Sequence, residues 1–215
     1  PQGALVKTSS EHGWVRSFPT KRVYKIGSGD AFSAAFAFAW LPQGQNALSA
    51  AWFASRVAAE YVESALDKFS TDQIAAIHAE SRAMFAKVGN DGPRTVPTTQ
   101  IYLAGPFFNT PQQWLIDEVR ENLVDMGFNV FSPSHEVGFG PANEVAPADL
   151  YALEQSGIVL ALLDGLDPGT VFEVGYACAK NIPVIAIAEF VDANSLTMVI
   201  GAGCEVTNDL ATGIY

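Results

Sequence analysis

Three carboxylates, Asp164, Asp167 and Glu173, stand close together in Asp164-Gly-Leu-Asp-Pro-Gly-Thr-Val-Phe-Glu-Val-Gly-Tyr-Ala177. Grouped carboxylates can move protons, and an ionised one can capture an electron-poor carbon. The stretch lies between two apolar runs, residues 158–163 and 182–187, and reads as strand, acidic glycine-bearing loop, helix and strand. In open parallel sheets ligands bind beyond the carboxyl ends of the strands, which makes this loop a site candidate. A second reading of Glu173 stays open. Thr170-Val-Phe-Glu173 also spells a capping box, in which the glutamate returns a hydrogen bond to the helix start, and the motif alone favours that role.

The elements that must position these groups follow a regular alternation. Strands are expected at residues 101–104, 128–131, 158–163 and 182–187, and helices at 111–126, 146–155 and 170–180. The first helix carries Leu115, Val119, Leu123 and Met126 on one stripe. Strands alternating with helices imply an α/β fold, a parallel sheet covered on both faces. Its strand ends gather Gly105-Pro-Phe-Phe108, Ser132-Pro-Ser-His135, Asp164-Gly-Leu-Asp167 and the helix with Glu173. Phe107 and Phe108 fit either a core or the flanks of a flat ligand. His135 fits either a loop histidine without a role or a substrate contact. Asp149, just ahead of Leu150 and Leu153, reads as a first-turn carboxylate complementing a helix dipole.

The preceding residues read differently. Short strands are expected at 4–6 and 13–15 around the polar turn Thr8-Ser-Ser-Glu-His12. Val23-Tyr-Lys-Ile-Gly-Ser-Gly-Asp30 then leads into residues 31–41, apolar nearly all round, which predicts a buried helix. Gly27-Ser28-Gly29 at its mouth fits an anion cradle or a plain tight turn. Further helices are expected at 46–65, rich in Ala, and at 71–87, opened by Ser70-Thr71-Asp72. His78 on the latter reads as a surface or half-buried residue rather than a ligand. Residues 89–99, dense in Gly, Pro and Thr, read as a linker between units at 1–88 and 100–215.

Composition bounds the function. A 49% hydrophobic chain of 215 residues has material for a sizeable core. Its 12 Lys+Arg against 23 Asp+Glu give a net charge of -11, which repels a nucleic-acid backbone at long range. No run approaches the roughly 18 apolar residues that span a membrane. Cys178 and Cys204 lack metal or redox spacing, and Cys178 reads as a small buried thiol on a helix. A reducing cytoplasm is the expected compartment, with no metal or organic cofactor. The opening at Pro1-Gln-Gly-Ala-Leu-Val reads like the middle of a fold, so a fragment or processed piece is expected.

Two family resemblances sharpen these readings. Residues 1 to about 70 resemble the C-terminal part of the PfkB (ribokinase-like) sugar and nucleoside kinases, whose signature is close to D-T-x-G-A-G-D-x-F. Gly27-Ser28-Gly29-Asp30-Ala31-Phe32 matches its glycine turn, aspartate and phenylalanine. The resemblance implies an anion hole at Gly27, Ser28 and Gly29, with Asp30 as the base. Tyr24-Lys25 stands where the family has Asp-Thr, and the larger sugar-binding part has no counterpart, which implies an inactive kinase remnant.

Residues 100 to about 210 resemble the nucleoside 2-deoxyribosyltransferase family. The match runs through Ile101-Tyr-Leu-Ala-Gly-Pro-Phe-Phe108, Ala148-Asp149-Leu150 and Asp167-Pro-Gly-Thr-Val-Phe-Glu-Val-Gly-Tyr-Ala177, against the family block D-x-G-T-x-F-E-x-G-Y-A. It implies a flavodoxin- or Rossmann-like domain that cleaves N-glycosidic bonds of nucleosides and passes the sugar to another nucleobase. Hydrolysis of nucleosides or nucleotides is the nearest rival; the others are a non-catalytic nucleoside-sensing module with the kinase remnant as scaffold, and a phosphotransferase in which Asp30 is the working base. By this match Glu173 is the nucleophile, while Asp149 and Asp167 contact base or ribose and help to move a proton. Tyr102, Gly105, Phe107, Phe108, His135, Asp164 and Gly169 are the implied substrate contacts. The family's last helix supplies an Asn across a subunit boundary; Leu196 holds that position here, with Asn194 two residues earlier, so a homodimer or higher homo-oligomer is implied. The first loop lacks the Ser and Arg that nucleotide-hydrolysing relatives use for a 5′-phosphate, which favours nucleosides over nucleotides.

Overall fold

Runs that are apolar at successive positions, and too short for a helix, satisfy their backbone by pairing as strands buried on both faces. The computed structural model, which describes residues 3–24, 26–64, 68–88 and 98–214, pairs them in this way. The chain divides into two compact units, one ending at Thr95 and one running from Val96 to Ile214. Of the linker expected at 89–99, residues 89–97 lie outside the described residues.

In the first unit β1 (Ala4–Lys7) and β2 (His12–Val15) form an antiparallel hairpin with Ala4 opposite Val15. Helices α1 (Ser28–Trp40), α2 (Ala47–Ser64) and α3 (Thr71–Val88) follow. Helix α2 supplies the core, with Trp52 and Phe53 buried and Ala50 and Ala54 allowing close approach to Ala35 and Ala39 of α1. The expectation that α1 is buried all round is corrected. Only Ala35 and Ala39 of α1 are buried, while Phe38 and Trp40 are exposed. An apolar surface shows how much of a helix could be buried; the number of neighbouring elements decides how much is.

Among the described residues the second unit holds a five-stranded, all-parallel sheet: β3 (Gln100–Ala104), β4 (Asn129–Phe131), β5 (Ile158–Leu162), β6 (Val184–Ile187) and β7 (Glu205–Thr207). Their order is β4-β3-β5-β6-β7. Tyr102 lies opposite Val159 in β5 and Phe131 in β4. Because successive strand side chains point to opposite faces, Tyr102, Ala104, Val159, Ala161 and Val184 face one core. Ile101, Leu103, Leu160, Leu162 and Ile187 face the other. Helices α6 (Ala142–Gln155), α7 (Pro168–Ala179) and α8 (Thr197–Gly201) cover the first face through Leu153, Val174, Ala177 and Val199. Helices α4 (Thr110–Asp125) and α9 (Leu210–Ile214) cover the second through Ile116, Val119, Leu123 and Leu210. A short helix α5 (Pro133–Glu136) follows β4.

The strand order is the flavodoxin-like doubly wound order, in which the connections diverge between the first and third strands of the sheet. Here those strands are β3 and β5, and the crevice between their outgoing loops is where such folds hold ligands. Among the described residues no helix is long and apolar enough to cross a membrane.

Two helix starts differ from the sequence reading, and both differences move chemistry. The sequence reading starts a helix at residue 146. Helix α6 instead begins at Ala142 behind Pro141 and runs through Pro147, losing one backbone donor. Asp149 therefore sits mid-helix rather than in the first turn, where Glu144 is the acidic residue. Helix α7 begins at Pro168, two residues before the expected start at 170.

Candidate active site

The early start of α7 decides what Asp167 and Glu173 do. Asp167 is the N-cap, its Oδ2 accepting from the Thr170 amide at 2.8 Å and from the Thr170 hydroxyl at 3.0 Å. Pro168 is preset for the first helical position, and Gly169 leaves room, since a Cβ there would come within 3.0 Å of the capping oxygen. The capping box read at Thr170–Glu173 is thus not formed, because the chain turns helical behind Asp167 instead. Glu173 lies six residues beyond the cap. It points toward the sheet, where Tyr102 Oη donates to its Oε1 at 2.5 Å. One glutamate does not serve both as cap and as site carboxylate. Two residues divide these tasks.

Tyr102 is fully buried in β3 and stacks against Phe131 with ring centroids 5.6 Å apart. A tyrosine buried to this depth needs a partner for its hydroxyl, and Glu173 is that partner. Burial, followed by the Glu173 charge, raises the phenol far above its ordinary range, so Tyr102 remains a donor. Glu173 itself is pushed up to about 7, chiefly by burial; the Tyr102 hydrogen bond works against this, and the charges of Asp149 and Asp167 add to it. Burial also pushes Asp149 up to about 6. Desolvation outweighs any help from the helix dipole, because Glu173 lies more than a turn inside α7. The Oδ1 of Asp149 is buried and has no hydrogen-bond partner among the described residues. A buried acceptor without a partner is costly unless something else satisfies it.

Loops complete the surroundings. Gly105, at the end of β3, is required by packing, because a Cβ there would lie 2.8 Å from Ile116 Cδ1 and 3.2 Å from Leu162 Cβ. Beyond it Phe107 and Phe108 stack at 5.4 Å, and Phe139 joins them at 5.1 Å from Phe107. Phe108 and Phe139 are mostly exposed, so this trio is not core. Phe139 follows α5, far from the motif blocks in sequence, and only its aromatic type could have singled it out. Asp164 Oδ1 accepts from the Phe190 amide at 2.8 Å, bracing the loop after β5 against the loop after β6. Between Asp164 and Asp167, Gly165 and Leu166 both take positive φ (86° and 48°). The left-handed leucine is a strained turn, held by its packing against the core.

His135 and Asn194 are engaged elsewhere. His135 Nε2 lies 3.2 Å from Asp117 Oδ1 of α4, and its Nδ1 lies 3.1 Å from Ser132 Oγ. Asn194 sits in a 3-10 turn (Ala193–Leu196), exposed, with backbone and side-chain amides both donating to Asp192 Oδ1 at 2.9 Å. In the first unit Gly27 takes a left-handed φ of 79° as the N-cap of α1, and its carbonyl accepts from the Ala31 amide. The Tyr61 hydroxyl donates to the Ile26 carbonyl and lies 2.6 Å from where a Gly27 Cβ would stand. Ser28, Gly29 and Asp30 form the first turn of α1. His78 stacks on Phe53 at 4.1 Å, and burial lowers its pKa.

The cap makes a first prediction. Asp167→Ala is expected to lower unfolding stability by about 1 kcal/mol, within the usual 0.5–2 kcal/mol for a lost N-cap, whereas Asp167→Asn retains most of it. Urea unfolding of the two variants checks this; equal losses would remove the capping role.

The nucleoside 2-deoxyribosyltransferase family model matches residues 101–208 of the chain. Among solved structures the chain is similar to a 2-desoxiribosyltransferase from Leishmania mexicana, at 19% identity over 54% of this chain and 93% of that one, with a TM-score of 0.44. It is similar to a 2-deoxyribosyltransferase from Bacillus psychrosaccharolyticus, at 27% identity over 51% and 86%, TM-score 0.42. It is also similar to a CMP N-glycosidase from Clostridium botulinum, at 18% identity over 50% and 85%, TM-score 0.40. Comparison with curated proteins finds no match. Residues 101–208 span the sheet from β3 to β7 together with Tyr102, Asp149, Asp167 and Glu173, and the chain belongs to the nucleoside 2-deoxyribosyltransferase family.

Proposed function

We propose that the second unit cleaves the N-glycosidic bond of (deoxy)nucleosides through a covalent glycosyl-Glu173 and passes the sugar to another nucleobase. The observation that carries this reading is the 2.5 Å Tyr102–Glu173 hydrogen bond, which aims a partly buried carboxylate away from its own helix start and beside Asp149. A Glu173 oxygen attacks C1′ as the C1′–N bond breaks, and the bonding pair leaves with the base. Asp149 gives that base its proton. The incoming base then attacks C1′ through a ring nitrogen, displaces the Glu173 carboxylate and returns a proton to Asp149. Such carboxylate capture of an oxocarbenium-like centre is the retaining glycosidase pattern. The aromatic trio Phe107, Phe108 and Phe139 offers flat faces for the base, and Asp167 supports the ribose side while it caps α7.

Proton placement follows from the electrostatics. Between pH values of about 6 and about 7 the Glu173–Asp149 pair carries one proton. The Tyr102 donor favours Glu173 as the ionised member. A base bound to the free Asp149 Oδ1 favours Asp149 as the protonated one. Substrate binding therefore selects the productive arrangement, and kcat/KM is expected to be bell-shaped with its maximum between about pH 6 and about pH 7. Tyr102→Phe removes the donor that favours ionised Glu173. Its rising limb should move to higher pH, and activity near neutrality should fall about ten- to a hundredfold, as for one hydrogen bond to a charged group. An unmoved limb would separate Tyr102 from the proton on Glu173.

The test of the reading is base exchange. The full chain with a 2′-deoxynucleoside and a second free base should give the exchanged nucleoside, resolved by chromatography. Free sugar without exchanged nucleoside would make the unit a hydrolase. The reading extends to a homodimer in a cytoplasmic setting, completed by Asn194 from a partner copy. The first unit is read as a partial ribokinase-like segment whose Gly27–Asp30 turn carries no kinase activity, so ATP should not be consumed by this chain.

A further inference from the structure

Cys178 and Cys204 are 26 residues apart and lack any redox-motif spacing, yet their sulfurs lie 3.2 Å apart. Both are free thiols and partly exposed. Cys178 is on α7, five residues beyond Glu173, and Cys204 follows α8 immediately before β7. The two thiols pack against the same core, and exposed Ala202 and Gly203 lead into Cys204. The left-handed Gly203 (φ 90°) and a Cys204 amide bond to the Val199 carbonyl turn the chain so that Cys204 meets the helix. The buried-thiol reading of Cys178 thus gives way to a contact between two elements that are distant in the sequence.

We propose that Cys178 and Cys204 are a thiol–disulfide site that reacts with small-molecule disulfides and, once oxidised, clamps α7 to the segment entering β7. The reaction runs through exchange. The Cys178 thiolate attacks one sulfur of the small disulfide, expels one thiol and becomes a mixed disulfide. Cys204 then loses its proton to solvent and attacks the Cys178 sulfur, releasing the second thiol. Two protein thiols become one protein disulfide, while one small disulfide becomes two small thiols. The order follows from the contact. With both thiols present, burial and the Cys178 sulfur hold the Cys204 proton in place, so Cys204 serves as donor to Cys178 and Cys178 reacts first. Once Cys178 is in the mixed disulfide, its share of that restraint on Cys204 is gone.

The experiment uses the full chain, fully reduced and then incubated with oxidised glutathione. Intact mass should fall by two hydrogens with no glutathione retained, and peptide mapping should recover the Cys178 and Cys204 peptides as one dithiothreitol-sensitive pair. Two separate glutathione adducts, or two thiols still open to alkylation, would overturn the site. The oxidised form should melt higher by on the order of 5–10 °C, as expected for closing a loop of this length. Cys204→Ser should instead retain one glutathione on Cys178 and show no such rise. A fully cross-linked sample with unchanged melting would overturn the clamp.

Discussion

Glu173→Gln is expected to reduce base exchange by at least about 10³-fold, since it removes the group that must bond to C1′. The same change should make the protein more stable at neutral and alkaline pH. In the unfolded chain the carboxyl titrates near its ordinary 4.5, whereas in the folded unit burial holds its proton up to about 7. Between these values the folded state binds the extra proton. The stability this contributes is complete below about 4.5 and is lost as pH rises through about 7. Glutamine never ionises, so the variant should exceed the parent by on the order of 2–3 kcal/mol at pH 8 and scarcely differ at pH 4. That corresponds to a melting shift of about 5–10 °C. Thermal melts at the two pH values, beside a base-exchange assay, check both halves. Retained activity would remove the nucleophile; a variant less stable at pH 8 would remove the desolvated carboxylate. The site in this reading is held against the preference of the fold, a common state for a functional carboxylate.

Asp149→Asn is expected to lower kcat/KM by about 10²–10⁴-fold, the usual contribution of a positioned general acid. Its pH profile should separate acid catalysis from mere positioning. The parent's bell has two limbs that belong to the pair. In the variant the alkaline limb, on which Asp149 loses its proton, should vanish. The rising limb should move to lower pH, because the Asp149 charge no longer raises the pKa of Glu173. A variant that keeps the full bell, shifted nowhere, would show that Asp149 acts only by shape. Substrates whose base leaves readily without protonation should lose least, since they ask least of the acid.

Much of the second unit was legible from residue type. The alternation of short apolar runs with helical segments predicts a parallel sheet, and β3, β5 and β6 fall where Ile, Val, Leu and Ala cluster. Residue type and strand-end position singled out Asp164, Asp167 and Glu173 as a candidate site, and only the resemblance of the block from Asp167 to Ala177 pointed to Glu173 as a nucleophile. Helix starts were harder. Proline is compatible with the first helical turn yet does not mark it: Pro147 lies inside α6, which begins at Ala142 rather than at the expected 146, while Pro168 opens α7. Those shifts moved Asp149 out of a first turn and passed the cap from Thr170 to Asp167. In the first unit the all-apolar pattern of residues 31–41 overstated burial, because a pattern counts apolar groups and cannot count neighbours.

By itself the sequence determined the α/β class, the family and the residue types available at the strand ends. Only the tertiary structure decided which of those residues meet. Tyr102 and Glu173 are 71 residues apart, Cys178 and Cys204 are 26 apart, and each pair touches because α7 packs on one core face against β3 and against the segment entering β7. Local rules of turn and cap act over a few residues and cannot carry that information. The pKa of Glu173 has the same origin, since it depends on burial and on charges delivered by α6 and by the loop before α7. A carboxylate in a motif is a type of group. Its proton affinity is set by what the fold places around it.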